Sequence, residues 1–121
     1  STANFYLQGL SEFKNNLVHA VTAPYLSTSS KITSAAVQAK AEADGCTTYA
    51  NAADIKLTDP FNLTTPNFVP AAGSPALTGA DFAGLDATFF KTTETFRGAF
   101  GTTNWLQGWT SFSPKTNEYK Q

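Results

Sequence analysis

The sequence holds few side chains that could carry out nucleophilic, acid–base or metal chemistry. His19 is the sole histidine and Cys46 the sole cysteine. A nucleophilic Cys–His pair would need both of them, and no local motif brings them together. A single cysteine also excludes an internal disulfide and a thiolate cluster for a metal. The sequence therefore predicts no catalytic residue, no metal site and no cofactor, with His19 on a strand surface and Cys46 as a small, half-buried apolar side chain.

The nine carboxylates do not cluster along the sequence. Asp81 and Asp86 flank residues 82–85, and two loop aspartates could supply oxygen ligands to one calcium ion. Their spacing matches no defined calcium-binding loop. We therefore interpret both as residues that cap turns.

Aromatic residues near the end of the chain suggest two alternative roles. The group consists of Trp105, Trp109, Phe112 and Tyr119. Exposed rings of this kind stack on sugars, so the group predicts a carbohydrate-binding surface. Buried rings would instead close the end of a core, each burying about 150–250 Å². The glycines between them favour close packing over sugar binding.

Composition limits the classes of partner. Charged residues make up 14% of the chain, against roughly 25% in globular domains, and Thr, Ser, Asn and Gly replace them. The net charge is −1 and Lys and Arg are scattered, which argues against nucleic acid. The apolar stretches are much shorter than the roughly 20 residues of a membrane-spanning helix. This composition is typical of extracellular or cell-surface β-proteins.

Periodicity divides residues 1–121 into three parts of one unit. Residues 1–22 are predicted to form β-strands, at 4–8 and 13–21, with Gly9 as a break. A helix is predicted within residues 29–45, capped by Ser29 or Ser30 and ended by Gly45. One face of this helix is predicted to be buried and carries Ile32, Ala36, Ala39 and Ala43.

Residues 46–121 are predicted to be an irregular strap followed by the aromatic tail. X-Pro dipeptides recur between residues 59 and 75, where each one disfavours helix and removes a hydrogen-bond donor. The chain opens without a signal-peptide pattern, which a trimmed start or a proteolytic fragment explains at least as well as a cytosolic origin. The resemblance given next implies that residues 1–121 are the C-terminal part of a larger protein.

Three short motifs resemble one family. Residues 67–81 (NFVPAAGSPALTGAD) resemble the F-x-P-x-x-GSPA-(I/L)-x-x-G-A segment that follows the last coils of right-handed parallel β-helix proteins. Residues 96–101 (FRGAFG) and 104–110 (NWLQGWT) resemble the (Y/F)-RGAFG…W-x-x-GWT terminus of secreted or surface-anchored Bacteroidetes-type proteins of that group. Residues 13–18 (FKNNLV) resemble the asparagine turn of a β-helix coil.

The resemblance implies a mainly β fold, in which terminal coils and a C-terminal cap of a right-handed parallel β-helix carry one short α-helix and a long irregular Pro/Gly-rich strap. It implies a structural capping segment of an extracellular or cell-surface protein, without catalytic activity of its own, whose partner is the upstream part of its own polypeptide. An open β-helix end exposes apolar side chains and unpaired backbone, and therefore needs such a cap. The alternative is a carbohydrate-binding or polysaccharide-processing module, with a polysaccharide as its partner.

Overall fold

The computed structural model describes residues 2–116 and contains little regular structure. Within this range no helix combines the length and the hydropathy that a membrane crossing requires. Residues 78–116 form turns and irregular backbone. The regular elements are, in chain order, α1 (Thr2–Leu7), β1 (Leu17–Val18), α2 (Ser34–Ala43), β2 (Thr47–Thr48), a 3₁₀ helix (Ala52–Ile55), β3 (Leu57–Asp59), β4 (Asn67–Pro70) and a second 3₁₀ helix (Pro75–Leu77).

Both α-helices end at a glycine in the left-handed region. Gly9 has a φ of 74° and Gly45 a φ of 86°. The amides of each glycine and of the following residue bond back to carbonyls of the last helical turn, Gly45 N to Glu42 O at 3.1 Å and Cys46 N to Ala41 O at 2.9 Å. This is the Schellman arrangement, which satisfies carbonyls at the helix end. The predicted stop at Gly45 is confirmed, whereas α2 is capped by Thr33 rather than by Ser29 or Ser30.

The small core of residues 2–49 lies between α1 and α2. Its buried members are Tyr6, Ala41 and Cys46, and Val37 and Tyr25 pack against them. Val37 and Ala41 are four residues apart and therefore share one face of α2. The predicted buried face was wrong, because Ala39 and Ala43 are exposed. Alanine spacing alone did not distinguish two adjacent faces of a helix that is rich in alanine.

The strands form two separate pairs. β1 and β2 are parallel, with Leu17 opposite Thr47, and α2 lies in the connection between them. β3 and β4 are antiparallel, with Leu57 opposite Pro70 and an irregularity in the register before Asp59. An additional hydrogen bond from Thr58 Oγ1 to the Val69 carbonyl (2.8 Å) ties this second pair.

The β-helix expectation is wrong for this chain. Within residues 2–116 the two strand pairs do not stack into the coils of a solenoid, and one of them is antiparallel. The fold is mixed, with two helices and strands of two to four residues. Short strands of this kind follow from the local sequence, since Asn15, two residues before β1, takes a left-handed φ of 55° and turn residues surround the others.

Two local predictions also need correction. Residues 4–8 lie largely in α1 and not in a strand, because Gly9 provides a helix stop and Tyr6 packs onto α2. Of residues 13–21 only Leu17–Val18 are strand. Conversely, the part expected to be an irregular strap contains the β3–β4 pair. Pro70 is the last residue of β4, a position where a proline, which has no amide hydrogen to donate, is compatible with a strand.

Candidate functional site

Arg97 connects the three motifs that the sequence singled out, and we call this cluster the Arg97 junction. Its Nη1 donates to the Asn15 carbonyl (3.1 Å) and its Nη2 to the Pro75 carbonyl (2.8 Å). Its backbone amide donates to the Ala76 carbonyl (2.7 Å). The guanidinium lies against Gly79, where an added Cβ would be 3.0 Å from the guanidinium carbon. The planar guanidinium can donate hydrogen bonds to two carbonyls at once, so Arg97 holds the tail against two distant segments of the chain.

Ser74 of the GSPA motif is buried and fully engaged. Its Oγ donates to the Ile55 carbonyl at 2.6 Å and accepts the Ala76 amide at 3.1 Å, which caps the second 3₁₀ helix. The hydroxyl proton is thus committed to a backbone carbonyl. Ser74 is therefore a packing and capping residue, and within residues 2–116 its hydroxyl bonds only to backbone groups.

A cleft of about 440 Å³ opens beside Arg97, and we call it the junction cleft. The three motifs supply most of its walls, which are largely apolar, and Arg97 is the one charged side chain among its described lining residues. The lining residues are Asn15, Asn16, Leu17, Ile55, Leu57, Phe68, Pro70, Ala76, Arg97, Gly98, Ala99 and Phe100. A cleft with these walls can accommodate an apolar side chain but provides no acid–base pair.

The predicted aromatic residues do not behave as one group. Trp105 stacks on Phe100, with ring centroids 5.3 Å apart, and its Nε1 donates to the Ala99 carbonyl at 2.8 Å. Trp105 is nonetheless 55% exposed, and Trp109 and Phe112 are 88% and 46% exposed. The interpretation that these rings close a core is therefore wrong for Trp109 and only partly met by Trp105. Tyr119 lies outside the described residues.

A second cleft, the tail cleft, measures about 340 Å³ and lies between the start of β4 and the turn at residues 104–110. Amide and hydroxyl side chains line it together with the apolar residues Pro66, Leu106 and Phe112. Its lining residues are Thr65, Pro66, Asn67, Asn104, Leu106, Gln107, Gly108, Thr110 and Phe112. The sequence reasoning missed Asn67, Asn104 and Gln107; asparagine and glutamine next to the tryptophans were the available signal.

A third concavity, the apolar groove, runs beside α1. It is lined largely by apolar and aromatic groups, including Tyr6, Phe13, Val18, Tyr25 and Val37. The groove is part of a wider pattern, because many large apolar side chains are exposed. Those more than two-thirds exposed are Leu10, Val21, Leu26, Phe61, Leu63, Phe89 and Trp109.

The two lone reactive side chains have structural partners. His19 is half-buried and its Nδ1 lies 3.0 Å from the Tyr49 carbonyl. Cys46 is buried and its Sγ donates to the Phe13 carbonyl at 3.3 Å. Both contacts hold the segments on either side of the β1–β2 pair. Within residues 2–116, the two side chains are not hydrogen-bonded to each other.

Asp81 and Asp86 cap turns, as predicted. Asp81 Oδ1 accepts the Ala83 amide at 2.9 Å, and Asp86 Oδ1 accepts the Thr88 amide and hydroxyl at 2.9 and 2.7 Å. The bonds from Thr88 lower the pKa of Asp86. Within residues 2–116, no group of three or more His, Cys, Asp or Glu side chains is arranged to hold a metal ion.

Beside the core, Tyr6, Lys40 and Asp44 form a polar cluster that the sequence reasoning missed. Asp44 Oδ2 accepts bonds from Lys40 Nζ at 2.5 Å and from the Tyr6 hydroxyl at 3.3 Å. Burial and the negative charge of Asp44 raise the pKa of Tyr6 to about 12. The hydrogen bond from Lys40 and its charge lower the pKa of Asp44. The i, i+4 spacing of Lys40 and Asp44 was the signal for this pair.

No protein-family model, no curated protein and no solved structure matches this chain. The arrangement itself is therefore the basis for assigning a function. The described residues form two kinds of surface: apolar concavities at the Arg97 junction and beside α1, and a cleft in the tail that carries amide and hydroxyl side chains.

Proposed function

We propose that this chain is a structural segment of an extracellular or cell-surface protein, which covers the upstream part of its own polypeptide and has no catalytic activity of its own. One observation carries this proposal: the distribution of apolar side chains. Although apolar residues make up 41% of the sequence, the buried ones among the described residues are Tyr6, Ala41, Cys46 and Ala76. Exposed apolar area of this extent marks a surface that packs against another polypeptide.

Two concavities give this surface a shape. The apolar groove beside α1 and the junction cleft both open to solvent and both present aliphatic and aromatic walls. Each buried square ångström of apolar area contributes roughly 25 cal/mol. Covering both concavities would therefore stabilise a chain whose own core is small. The likeness of residues 67–81 and 96–110 to the termini of secreted proteins supports the extracellular location, whereas it no longer supports a β-helix fold.

Hydroxyl-radical footprinting tests this proposal directly. The isolated chain and a longer polypeptide that contains it are oxidised in parallel. The modification of each side chain is then measured by mass spectrometry. Val21 and Phe13, which are 97% and 42% exposed, should be oxidised rapidly in the isolated chain and slowly in the longer one. Tyr6 is buried in the chain and serves as the control, with slow oxidation in both. Equal oxidation of Val21 and Phe13 in both would contradict the covering role.

A glycan-binding surface is the second candidate. It is favoured by Trp109, an 88% exposed ring on a tail that otherwise packs through Trp105, and by the uncharged polar walls of the tail cleft. A ring that is held on a folded turn but left uncovered is available to stack on a sugar. Both roles are compatible in one chain, because the apolar groove and the tail cleft share no lining residue.

A further inference from the structure

We propose that the tail cleft binds an uncharged sugar unit through the side-chain amides of Asn67, Asn104 and Gln107, with Phe112 at its wall. The inference rests on the glycan-binding role proposed above. It assigns the hydrogen bonds to the sugar to the amides of the cleft and not to the tryptophans. The lining residues all come from two short segments, 65–67 and 104–112.

The hydrogen-bonding capacity of the cleft is largely unused. Among the described residues, the side-chain amides of Asn104 and Gln107 make no hydrogen bond. Asn67 uses only Oδ1, which accepts the Val69 amide at 3.1 Å, so its Nδ2 donors are not engaged. Asn67 and Asn104 are half-buried. None of these amide atoms is among the buried side-chain atoms that lack a partner, so they are open to solvent and a sugar hydroxyl can take the place of water at them.

The walls of the cleft are fixed before any ligand arrives. The Leu106 carbonyl accepts three bonds, from the Trp109 amide, the Thr110 amide and the Thr110 hydroxyl, at 3.0, 3.3 and 3.2 Å. On the opposite wall, Asn62 Oδ1 accepts the Thr65 amide at 2.9 Å. Fixed walls reduce the entropy that binding costs.

A chain of aromatic rings joins these two walls. Phe68 follows Asn67 on β4, and its ring centroid lies 6.2 Å from that of Phe100. Phe100 in turn stacks on Trp105, the neighbour of Asn104. Trp105 is therefore a positioning residue that holds the amide-bearing turn against β4, and it does not need to touch the ligand.

The chemistry of the walls selects the ligand class. No Lys, Arg, Asp or Glu is among the described lining residues, so the cleft offers nothing to neutralise a carboxylate, sulfate or phosphate group. Amides and hydroxyls both donate and accept, as sugar hydroxyls do. At about 340 Å³, the cleft is near the lower limit of small-molecule sites, roughly 300–1,000 Å³. An uncharged sugar unit fits these conditions.

Affinity electrophoresis of the full chain tests the proposal. The gels contain hydroxyethylcellulose, glucomannan or dextran as neutral polymers, and polygalacturonate as the acidic one. We expect at least one neutral polymer to retard the chain, and polygalacturonate not to retard it. Gln107→Leu keeps the size of the side chain but removes its hydrogen bonds, and it should weaken retardation about 10-fold, which corresponds to the loss of one well-made polar contact.

Gln8→Leu is the matched control, because it makes the same change at an exposed position next to α1. It should leave retardation unchanged, and circular dichroism verifies that both variants fold. Equal retardation of the Gln107→Leu variant and the parent chain would overturn the cleft as the site. If Trp109→Ala alone abolished binding, the glycan-binding role would stand and the cleft would not. Retardation by polygalacturonate would overturn the uncharged class, and no retardation of the parent by any neutral polymer would overturn both proposals.

Discussion

The first part of the chain, residues 2–49, and the tail, residues 95–116, are held in place by different means. The first part has two helices closed by glycine stops, and it buries Tyr6, Ala41 and Cys46 between them. The tail has no helix or strand among its described residues and buries no residue to that degree. It is fixed instead by bonds from Arg97 and Trp105 to backbone carbonyls and by the stack on Phe100. Burial holds the first part, whereas hydrogen bonds from side chains and from backbone amides hold the tail.

This difference explains where each proposed surface lies. In the first part, some of the large apolar side chains are buried in the core. The others line the groove beside α1, which is suited to packing against another polypeptide. A region fixed by side-chain bonds to the backbone keeps rings and amides at its surface, as Trp109 and Gln107 show. The tail therefore presents recognition chemistry although it contributes little to the core.

The largest expected effect is in the first part. Ala41 is 0% exposed and faces Tyr6, so Ala41→Arg must overpack the core and bury a charge. We expect a loss of about 3 kcal/mol or more in the free energy of unfolding, measured by urea denaturation. Ala39→Arg is the control on the same helix, and its exposed position should keep the change within about 0.5 kcal/mol. The reverse order would show that the other face of α2 is buried.

The second effect tests how the tail is attached. Arg97→Ala removes two guanidinium bonds and leaves the Asn15 and Pro75 carbonyls without that partner. We expect a loss of about 2–3 kcal/mol, because bonds from a charged donor are stronger than neutral ones. Arg97→Lys should restore little of it, since an ammonium group cannot span two carbonyls as the planar fork does. Full recovery with lysine would show that charge alone matters at this position.

Trp105 and Trp109 provide a smaller test within the tail. Trp105→Ala removes a ring stack worth about 0.5–1.5 kcal/mol and one hydrogen bond worth about 1 kcal/mol, so we expect a loss of about 2 kcal/mol. Trp109→Ala should change stability by less than about 0.5 kcal/mol, because its ring is 88% exposed. Acrylamide quenching checks the same contrast, with Trp109 the more accessible ring. Equal losses for the two variants would contradict the division of roles.

Local signals in the sequence predicted some elements, and the missing ones depended on long-range contacts. The stop at Gly45 and the turns capped by Asp81 and Asp86 follow from residue type and were correct. The buried face of α2 depends on where Tyr6 packs, which is information from another helix. The fold as a whole was mispredicted because motifs such as GSPA specify a local backbone shape, here through Ser74, and not the arrangement of strands around it.

For the site, the sequence indicated the aromatic residues but not the different environments of the two tryptophans. Nothing in the spacing of Trp105 and Trp109 indicates that one stacks on Phe100 and the other faces solvent. The amide of Asn67 lies on β4, far from Asn104 in the sequence, so the cleft they share exists only in the fold. Arg97 is likewise distant from Asn15, to which it bonds.

The smallest expected effect is a pH dependence that belongs to the first part of the chain. The Lys40 ammonium lowers the pKa of Asp44 below its ordinary value of 3.8, with smaller contributions from the Tyr6 hydroxyl and from Lys14. A carboxyl group with a lowered pKa in the folded state stabilises the fold above the unfolded pKa, and this stabilisation is lost as the pH falls through the folded pKa. The contribution of Asp44 to the melting temperature should therefore be present above pH 3.8 and be lost as the pH falls below it. Asp44→Asn should weaken this acid dependence. The pKa of Asp86 is also lowered, but Asp86 lies in an exposed turn, so Asp86→Asn should reduce the acid dependence less. If Asp86→Asn had the larger effect, the acid sensitivity would belong to the segment that leads into the tail.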